Sequence, residues 1–215
     1  MTTLSIDGIS ITHLGLIEYE RALEIQRELH QRVATGDAPH TLLLLEHPSI
    51  YTAGKRTVDE ERPRNGSRVI DVDRGGKITW HGPGQLVGYP IIALRNPHEL
   101  VGFVRVIESA LINICSEFGI STRRITGRSG VWIVDEKGSR KIAAIGIRVA
   151  QGVSMHGFAL NVNPDLSAFQ EIIPCGISDA DVTSLARELG RTIEIAEITA
   201  VVERHMALAL KEVAR

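Results

Sequence analysis

The sequence is poor in cysteine and in aromatic residues, and its charges are nearly balanced. Two cysteines among 215 residues are too few for a disulfide framework or a cysteine-rich zinc site. A formal net charge of -2 does not favour a binder of nucleic acid or of membrane surfaces. No apolar run reaches the roughly 18 residues of a membrane-spanning helix. The first residues have no basic segment followed by an apolar core, so we expect no secretory signal. These absences predict a protein of the reducing cytoplasm.

The remaining composition, with 43% hydrophobic and 23% charged residues, is typical of a globular protein. Apolar periodicity predicts helices near 19–33, 96–119 and 196–213, and most strand-forming runs lie between the first and the last of them. The pattern predicts an α+β fold, in which helices pack on a mixed, largely antiparallel sheet. We expect one domain over residues 1–215, within which 176–215 could form a small C-terminal helical subdomain.

Local signals predict where several elements begin and end. Residues 4–14 favour one strand before Gly15, and the apolar residues 41–46 favour a strand buried on both faces. Asn96 is a suitable helix N-cap, because Pro97 follows at the first helical position and Glu99 at the third.

The most distinctive stretch is residues 74–85, RGGKITWHGPGQ, with four glycines and a proline. Glycine allows left-handed backbone and close approach of another molecule, whereas the ITW triplet favours a strand. We therefore predict a short strand between two glycine turns. Alternate side chains of that strand face opposite sides, with Lys77, Thr79 and His81 on one and Ile78 and Trp80 on the other. The alternative is a tight glycine hairpin with solvated polar residues.

The two cysteines occupy different settings. Cys115 lies in the apolar stripe of a predicted helix, which indicates a small core residue. Cys175 lies between Pro174 and Gly176, on a tight loop where a thiol can be presented to a ligand. An incidental loop cysteine is the alternative for Cys175.

A nucleophilic cysteine needs a neighbouring cation or base, and Lys141 is the strongest candidate. It opens a predicted strand, and strict alternation places it on the face of Ala143, Ile145, Ile147 and Val149. Burial on such a face favours a neutral amine, which can accept a proton. The alternative is that Lys141 is the solvated end of its strand. Glycines inside two strands, Gly146 and Gly157, indicate close approach of a ligand or of backbone, or else β-bulges.

Taken together, residues 74–85, the KIAAIG run at 141–146, the HGFALN run at 156–161 and the PCG triplet at 174–176 closely resemble the octanoyltransferases of lipoate biosynthesis, the LipB family. The four motifs occur in the family's order, and the resemblance covers nearly the whole chain. It implies the fold of the biotin/lipoate protein ligase catalytic domain.

The resemblance also implies an activity. The enzyme would move an octanoyl group from octanoyl-acyl carrier protein to a specific lysine of lipoyl domains, such as those of 2-oxo acid dehydrogenases and the glycine cleavage H protein. Cys175 would be the nucleophile and Lys141 its partner. The substrate would contact Arg74, Gly75, Gly76, Lys77, Ile78, Thr79, Trp80, His81, Ala144, Ile145, Gly146, Gly157, Phe158 and Ala159.

A thioester donor already carries its activation, so we expect no cofactor, neither ATP nor a metal. The sequence has no Walker-type loop and no metal-ligand spacing. Two alternatives are an ATP-dependent lipoate or biotin ligase of the same fold and a non-catalytic acyl-binding protein. An acidic carrier protein predicts a basic patch, for which Arg56, Arg62, Arg64 and Arg68 are candidates.

Overall fold

The computed structural model describes residues 2–172 and 180–215, so Pro174, Cys175 and Gly176 lie outside the described residues. The strands are β1 (Thr2–Ile6), β2 (Ile9–Leu16), β3 (Thr41–Glu46), β4 (Ile50–Ala53), β5 (Val69–Asp71), β6 (Thr79–His81), β7 (Gln85–Ile91), β8 (Arg123–Ile125), β9 (Arg128–Asp135), β10 (Gly138–Ala150), β11 (Val153–Asn161) and β12 (Asp181–Val182). The α-helices are α1 (Tyr19–Thr35), α2 (Leu100–Glu117), α3 (Leu185–Leu189) and α4 (Ile195–Val213). Short 3-10 turns occupy Asp59–Glu61 and Leu166–Glu171.

The main sheet, as far as the described residues show it, has the strand order β1-β2-β3-β7-β11-β10-β9-β8, with β12 beside β10. Its pairings are antiparallel except for the parallel pairs β2–β3 and β10–β12. A second, three-stranded sheet has the order β5-β4-β6. The predicted α+β fold with a mixed, largely antiparallel sheet is confirmed.

The sheet separates two apolar layers. In β3, Leu42 and Leu44 pack on the side of α2 and α4, whereas Leu43 and Leu45 pack on the side of α1. The prediction that this strand is buried on both faces is therefore confirmed. Helix α4 packs in the layer of Leu42 and Leu44 through four buried side chains, Ile198, Val202, Met206 and Leu210.

Two predicted boundaries are wrong. Residues 4–14 do not form one strand, because Asp7 and Gly8 adopt left-handed backbone and turn the chain between β1 and β2. Asp-Gly is a strong signal for such a two-residue hairpin turn. The helix predicted from Asn96 begins instead at Leu100. The carbonyl of Asn96 accepts a hydrogen bond from the amide of Glu99 at 3.1 Å, which closes a separate turn before α2.

The strand glycines Gly146 and Gly157 pair directly across β10 and β11, so neither is a bulge. A Cβ atom on Gly157 would lie 1.9 Å from the carbonyl oxygen of Gly88 in β7. A Cβ atom on Gly146 would lie 2.8 Å from Cδ of Arg74. Close approach of the protein's own atoms therefore requires glycine at both positions.

Cys115 is fully buried in the layer formed by α2, which confirms its predicted role as a core residue. Burial raises the pKa of its thiol to about 12.

Among the described helices, none combines the length and the apolar character that a membrane crossing requires.

The close approach at Gly157 predicts that Gly157→Ala destabilises the protein. The new methyl group meets backbone, which cannot move aside, so we expect a loss of about 3 kcal/mol or more in the free energy of unfolding. Urea unfolding measures this loss. Gly102→Ala is the matched control, because its Cβ would approach only the flexible Glu99 carboxylate at 3.3 Å. That helix substitution should be neutral or stabilising by up to about 1 kcal/mol. Equal stabilities for the two variants would contradict the packing described here.

Candidate active site

A cavity of about 310 Å³ lies on the α1 face of the main sheet, where motifs far apart in the sequence meet. Its walls include Lys141 and most of the predicted substrate-contacting residues. These are Arg74, Gly76, Lys77, Thr79, His81, Ala144, Ile145, Gly146, Gly157, Phe158 and Ala159. The cavity is near the lower end of the range of about 300–1,000 Å³ for small-molecule sites.

Three predicted contact residues do not line this cavity. Ile78 and Trp80 are buried on the opposite side of their strand, in an apolar cluster with Phe169. This placement follows from strand alternation. Gly75 instead lines an adjoining groove, and its amide donates a hydrogen bond to the carbonyl of Ile147 at 3.0 Å.

The hairpin alternative for residues 74–85 is wrong. Strand β6 pairs with β4 of the small sheet, and its polar residues Thr79 and His81 are buried. Gly82 makes room for the Trp80 ring, since a Cβ atom there would lie 2.0 Å from that ring.

Lys141 reaches the cavity because of a β-bulge. In the β9–β10 ladder, Lys141 pairs with Trp132 and Ala143 pairs with Val131, which leaves Ile142 as an extra residue. Ile142 and Ala143 both enter the core on the helix side. The predicted shared face of Lys141 and Ala143 is therefore wrong, because the bulge reverses the alternation.

The environment of Lys141 also excludes the alternative that this residue is the solvated end of its strand. The residue is 6% exposed, and its Nζ lies 4.6 Å from the centroid of the Trp132 ring. Its carbonyl accepts a hydrogen bond from the amide of Thr183 at 2.9 Å, and Val182 pairs with it in parallel. The chain that follows the undescribed residues 173–179 thus runs directly beside Lys141.

A chain of buried hydrogen bonds crosses the site from Arg74 to Thr183. Arg74 donates to Thr52 Oγ1 at 3.0 Å, and Thr52 lies 3.3 Å from Nε2 of His81. His81 Nδ1 lies 2.7 Å from Gln85 Oε1. Gln85 then donates to Asn161 Oδ1 at 2.9 Å, and Asn161 donates to the carbonyl of Thr183 at 2.9 Å.

The ends of this chain fix the direction of every bond. A guanidinium group can only donate, and a backbone carbonyl can only accept. His81 therefore carries its proton on Nδ1 and accepts the Thr52 hydroxyl at Nε2. Burial, reinforced by the nearby His47, lowers the pKa of His81 to about 3. The His81 ring is thus a neutral part of the cavity wall, and both of its ring nitrogens already take part in hydrogen bonds.

The sequence analysis missed an aromatic cluster around this wall. The rings of Tyr19, His47, His81 and Tyr89 contact one another with centroids 5.0–6.1 Å apart. His47 donates from Nδ1 to the carbonyl of Ile17 at 2.7 Å and accepts the Tyr89 hydroxyl at Nε2, 2.8 Å away. Burial lowers the pKa of His47 to about 4. The signal in the sequence is the His47-Pro48 pair after β3, which equally marks the end of a strand.

His156 also lines the cavity and was not among the predicted site residues. It has left-handed backbone (φ 57°), which is uncommon outside glycine and favours a functional site. Its Nε2 lies 2.8 Å from Asp73, which also pairs with Arg148. Burial lowers the pKa of His156, and the bond to Asp73 offsets part of that effect.

Among residues 2–172 and 180–215, no three His, Cys, Asp or Glu side chains are grouped as a metal site.

Basic side chains surround the cavity mouth. Arg56 and Arg128 line both the cavity and the adjoining groove, and Lys77 pairs with the buried carboxylate of Glu61. Of the other arginines proposed for a basic patch, Arg62 pairs with Asp71 and Arg68 pairs with Glu20.

The two buried histidines predict a loss of stability in acid. Their folded pKa values, about 4 for His47 and about 3 for His81, lie below the ordinary 6.5, so below pH 6.5 the unfolded chain binds more protons. We expect each histidine to cost about 2 kcal/mol of unfolding free energy between pH 7 and pH 5. Urea unfolding at both values measures the sum. Histidine Cε1 resonances, assigned with His47→Gln and His81→Gln, should stay unshifted over this range. Ordinary titration of both resonances near pH 6.5 would contradict the assignment.

Comparison with known proteins agrees with the fold and the motifs. The family model described as the lipoyl protein ligase A/B catalytic domain matches residues 18–207. An octanoyltransferase of Salinispora tropica is 58% identical over 96% of this chain and 97% of its own length. An octanoyltransferase of Mycobacterium tuberculosis is 53% identical over 95% of this chain and 88% of its own length.

Solved structures extend the likeness of fold to two kinds of ligase. Lipoate-protein ligase A bound with ATP superposes with a TM-score of 0.72 at 16% identity, over 93% of this chain and 84% of the other. Biotin protein ligase from Aquifex aeolicus gives a TM-score of 0.53 at 13% identity, over 96% and 71%. At such identities the likeness shows the fold alone. The family model and the close relatives show that the chain belongs to the lipoyl protein ligase A/B catalytic domain family and, within it, to the octanoyltransferases of lipoate biosynthesis.

Proposed function

We propose that this enzyme takes an octanoyl group from octanoyl-acyl carrier protein and transfers it to a specific lysine of a lipoyl domain through a thioester on Cys175. The observation that supports this proposal best is the position of Lys141. Its amine is withdrawn from bulk solvent on the wall of a small cavity, beside Val182 and Thr183, which follow Cys175 by only a few residues in the sequence. Cys175 itself lies outside the described residues.

The proposed chemistry uses Lys141 in both protonation states. As an ammonium group it stabilises the Cys175 thiolate, which attacks the donor carbonyl. The carrier sulfur leaves as a thiolate and takes a proton from Lys141, which becomes a neutral amine. The acyl-enzyme is itself a thioester, so this exchange is nearly thermoneutral. As a neutral amine Lys141 removes a proton from the incoming lysine, whose nitrogen then forms the amide while the Cys175 sulfur leaves. No step of this route requires ATP or a metal.

The cavity walls suit an acyl chain. Ala144 and Ala159, which pair across β10 and β11, offer apolar surface, and the pair Gly146 and Gly157 adds no side chains to the cavity. Arg74 does not project freely, because its guanidinium donates to the carbonyls of Gly75, Lys77 and Thr52 at 2.8–3.0 Å. We assign Arg74 to shaping the loop over the acyl chain.

The proposed partners are octanoyl-acyl carrier protein as donor and, as acceptors, the lipoyl domains of 2-oxo acid dehydrogenases and of the glycine cleavage H protein. Of the four arginines considered for an acidic carrier, Arg56 lines the cavity mouth, and we assign it to that contact. A thiol nucleophile also suits the reducing cytoplasm, where we place the enzyme.

Mass spectrometry of the enzyme mixed with octanoyl-acyl carrier protein tests the proposal. One octanoyl group should appear on the Cys175 peptide without ATP or Mg²⁺, and a lipoyl domain added afterwards should remove it. Cys175→Ala should form no adduct, whereas Cys115→Ala is the control that retains turnover because Cys115 is core. Lys141→Ala should lower transfer by roughly 10²–10⁴-fold, and Lys141→Arg should rescue poorly because arginine cannot act as a base near neutral pH.

The alternatives predict different outcomes of the same experiment. An ATP-dependent ligase requires ATP and Mg²⁺ for transfer and retains activity in Cys175→Ala. A non-catalytic acyl-binding protein binds the donor and never gains covalent mass. Turnover with an unmodified Cys175 peptide would exclude the thioester route.

A further inference from the structure

The side chain directly across the strand from Lys141 is Trp132 of β9. The two residues form a register pair, so their side chains lie on the same face of the sheet. Trp132 is 1% exposed, and its ring centroid lies 4.6 Å from Nζ of Lys141. A cation within about 6 Å of an aromatic centroid is attracted by the ring's electron-rich face, most strongly for tryptophan.

We propose that Trp132 is a positioning residue for the transfer reaction, because its indole face contacts the Lys141 side chain and holds its amine at the cavity wall. This proposal rests on the function proposed above, in which that amine acts on the Cys175 thiol. Contact with the rigid ring restricts the flexible lysine chain to one direction, and the electron-rich face of the ring attracts a cation there.

The hydrogen-bonding state of Trp132 supports a role for its ring face. Within the described part of the chain, its buried indole N–H has no hydrogen-bond partner. A buried tryptophan N–H usually finds an acceptor, because leaving it without one is costly. An aliphatic side chain would avoid this cost at a core position. The feature that only an aromatic residue supplies here is the surface that Lys141 contacts.

The charged side chains that line the cavity beside Lys141 are cations. The cations that line the same cavity are Arg56, Arg74, Lys77 and Arg128. The other titratable side chains that line it are Tyr19, Tyr89, His81 and His156. Burial keeps all four neutral near pH 7, since it raises the tyrosine pKa values and lowers those of the histidines. On the strand of Lys141, Arg140 is held by Asp135 and Glu188.

Arg128 adds a second cation to the same indole. Its guanidinium carbon lies 5.9 Å from the Trp132 centroid, and Arg128 also lines the cavity. The Trp132 ring therefore contacts two of the basic side chains in the cavity wall, which fits its assignment as a positioning residue.

The test is the pH dependence of Cys175 alkylation by iodoacetamide, in a Cys115→Ala background that leaves one thiol. Trp132→Leu should move the alkylation midpoint upward by about one pH unit, and Trp132→Phe by less, because its ring has a weaker electrostatic face. Lys141→Ala should move the midpoint at least as far. Because Trp132 acts through Lys141, adding Trp132→Leu to Lys141→Ala should cause no further movement.

Three outcomes separate the possibilities. An unchanged midpoint in a folded Trp132→Leu protein, or an additional shift in the double variant, would overturn the role of Trp132. If the leucine variant does not fold, an unchanged midpoint in Trp132→Phe overturns it equally. An unchanged midpoint in Lys141→Ala overturns the pairing of Lys141 with Cys175 instead, and so identifies a failure of the proposed function.

Discussion

One extra residue in β10 determines whether the Lys141 side chain faces the cavity. Without the bulge at Ile142, Lys141 would point with Ala143 into the layer beneath α2, away from the cavity. With the bulge, the same residue faces Trp132 and the cavity. Bulges recur beside active sites because they re-aim a single side chain while leaving the rest of the ladder paired. The cost is local, since β10 pairs regularly with β11 from Ala143 onward.

The bulge operates within a rigid polar frame. Thr183 receives the end of the hydrogen-bond chain from Asn161, donates its amide to the carbonyl of Lys141, and donates its hydroxyl to Glu188 at 2.5 Å. Glu188 in turn holds Arg140. Buried polar chains of this kind are stabilising only when every member is satisfied, and this one ends on a guanidinium at one side and a backbone carbonyl at the other. The frame therefore fixes both the His81 tautomer and the chain beside Lys141.

Much of the fold could be predicted from periodicity, because the responsible signals are local. The continuous apolar run of β3 and the alternation of Ile78 and Trp80 against Thr79 and His81 both follow from the two-residue period of a strand. The bulge could not be predicted, because Ile142 fits a regular strand as well as a bulge. It is set by the pairing of β10 with β9 on one side and β12 on the other.

Several residues of the site could not be predicted from the sequence for a similar reason. Tyr19 begins a helix, Thr52 lies in a short strand and Tyr89 lies in a buried strand, so each has an ordinary structural explanation in the sequence. Only the pairing of β4 with β6, and the packing of α1 over β7 and β11, bring them to His81. The glycines could be predicted only in part. Glycine inside a strand indicates close approach of a ligand or of backbone, or a bulge, and the sequence does not choose among these. The structure shows that Gly82, Gly146 and Gly157 accommodate the protein's own side chains and backbone.

The most direct test of this account is the environment of the Lys141 side chain in solution. In protein labelled with ¹³C-lysine, the ε-methylene protons missing from Lys141→Ala identify this residue. The account predicts nuclear Overhauser contacts from these protons to the Trp132 ring, together with an upfield shift caused by the ring current. Contacts to Ala143 and the helix-side core, with none to Trp132, would show that the bulge does not turn Lys141 toward the cavity.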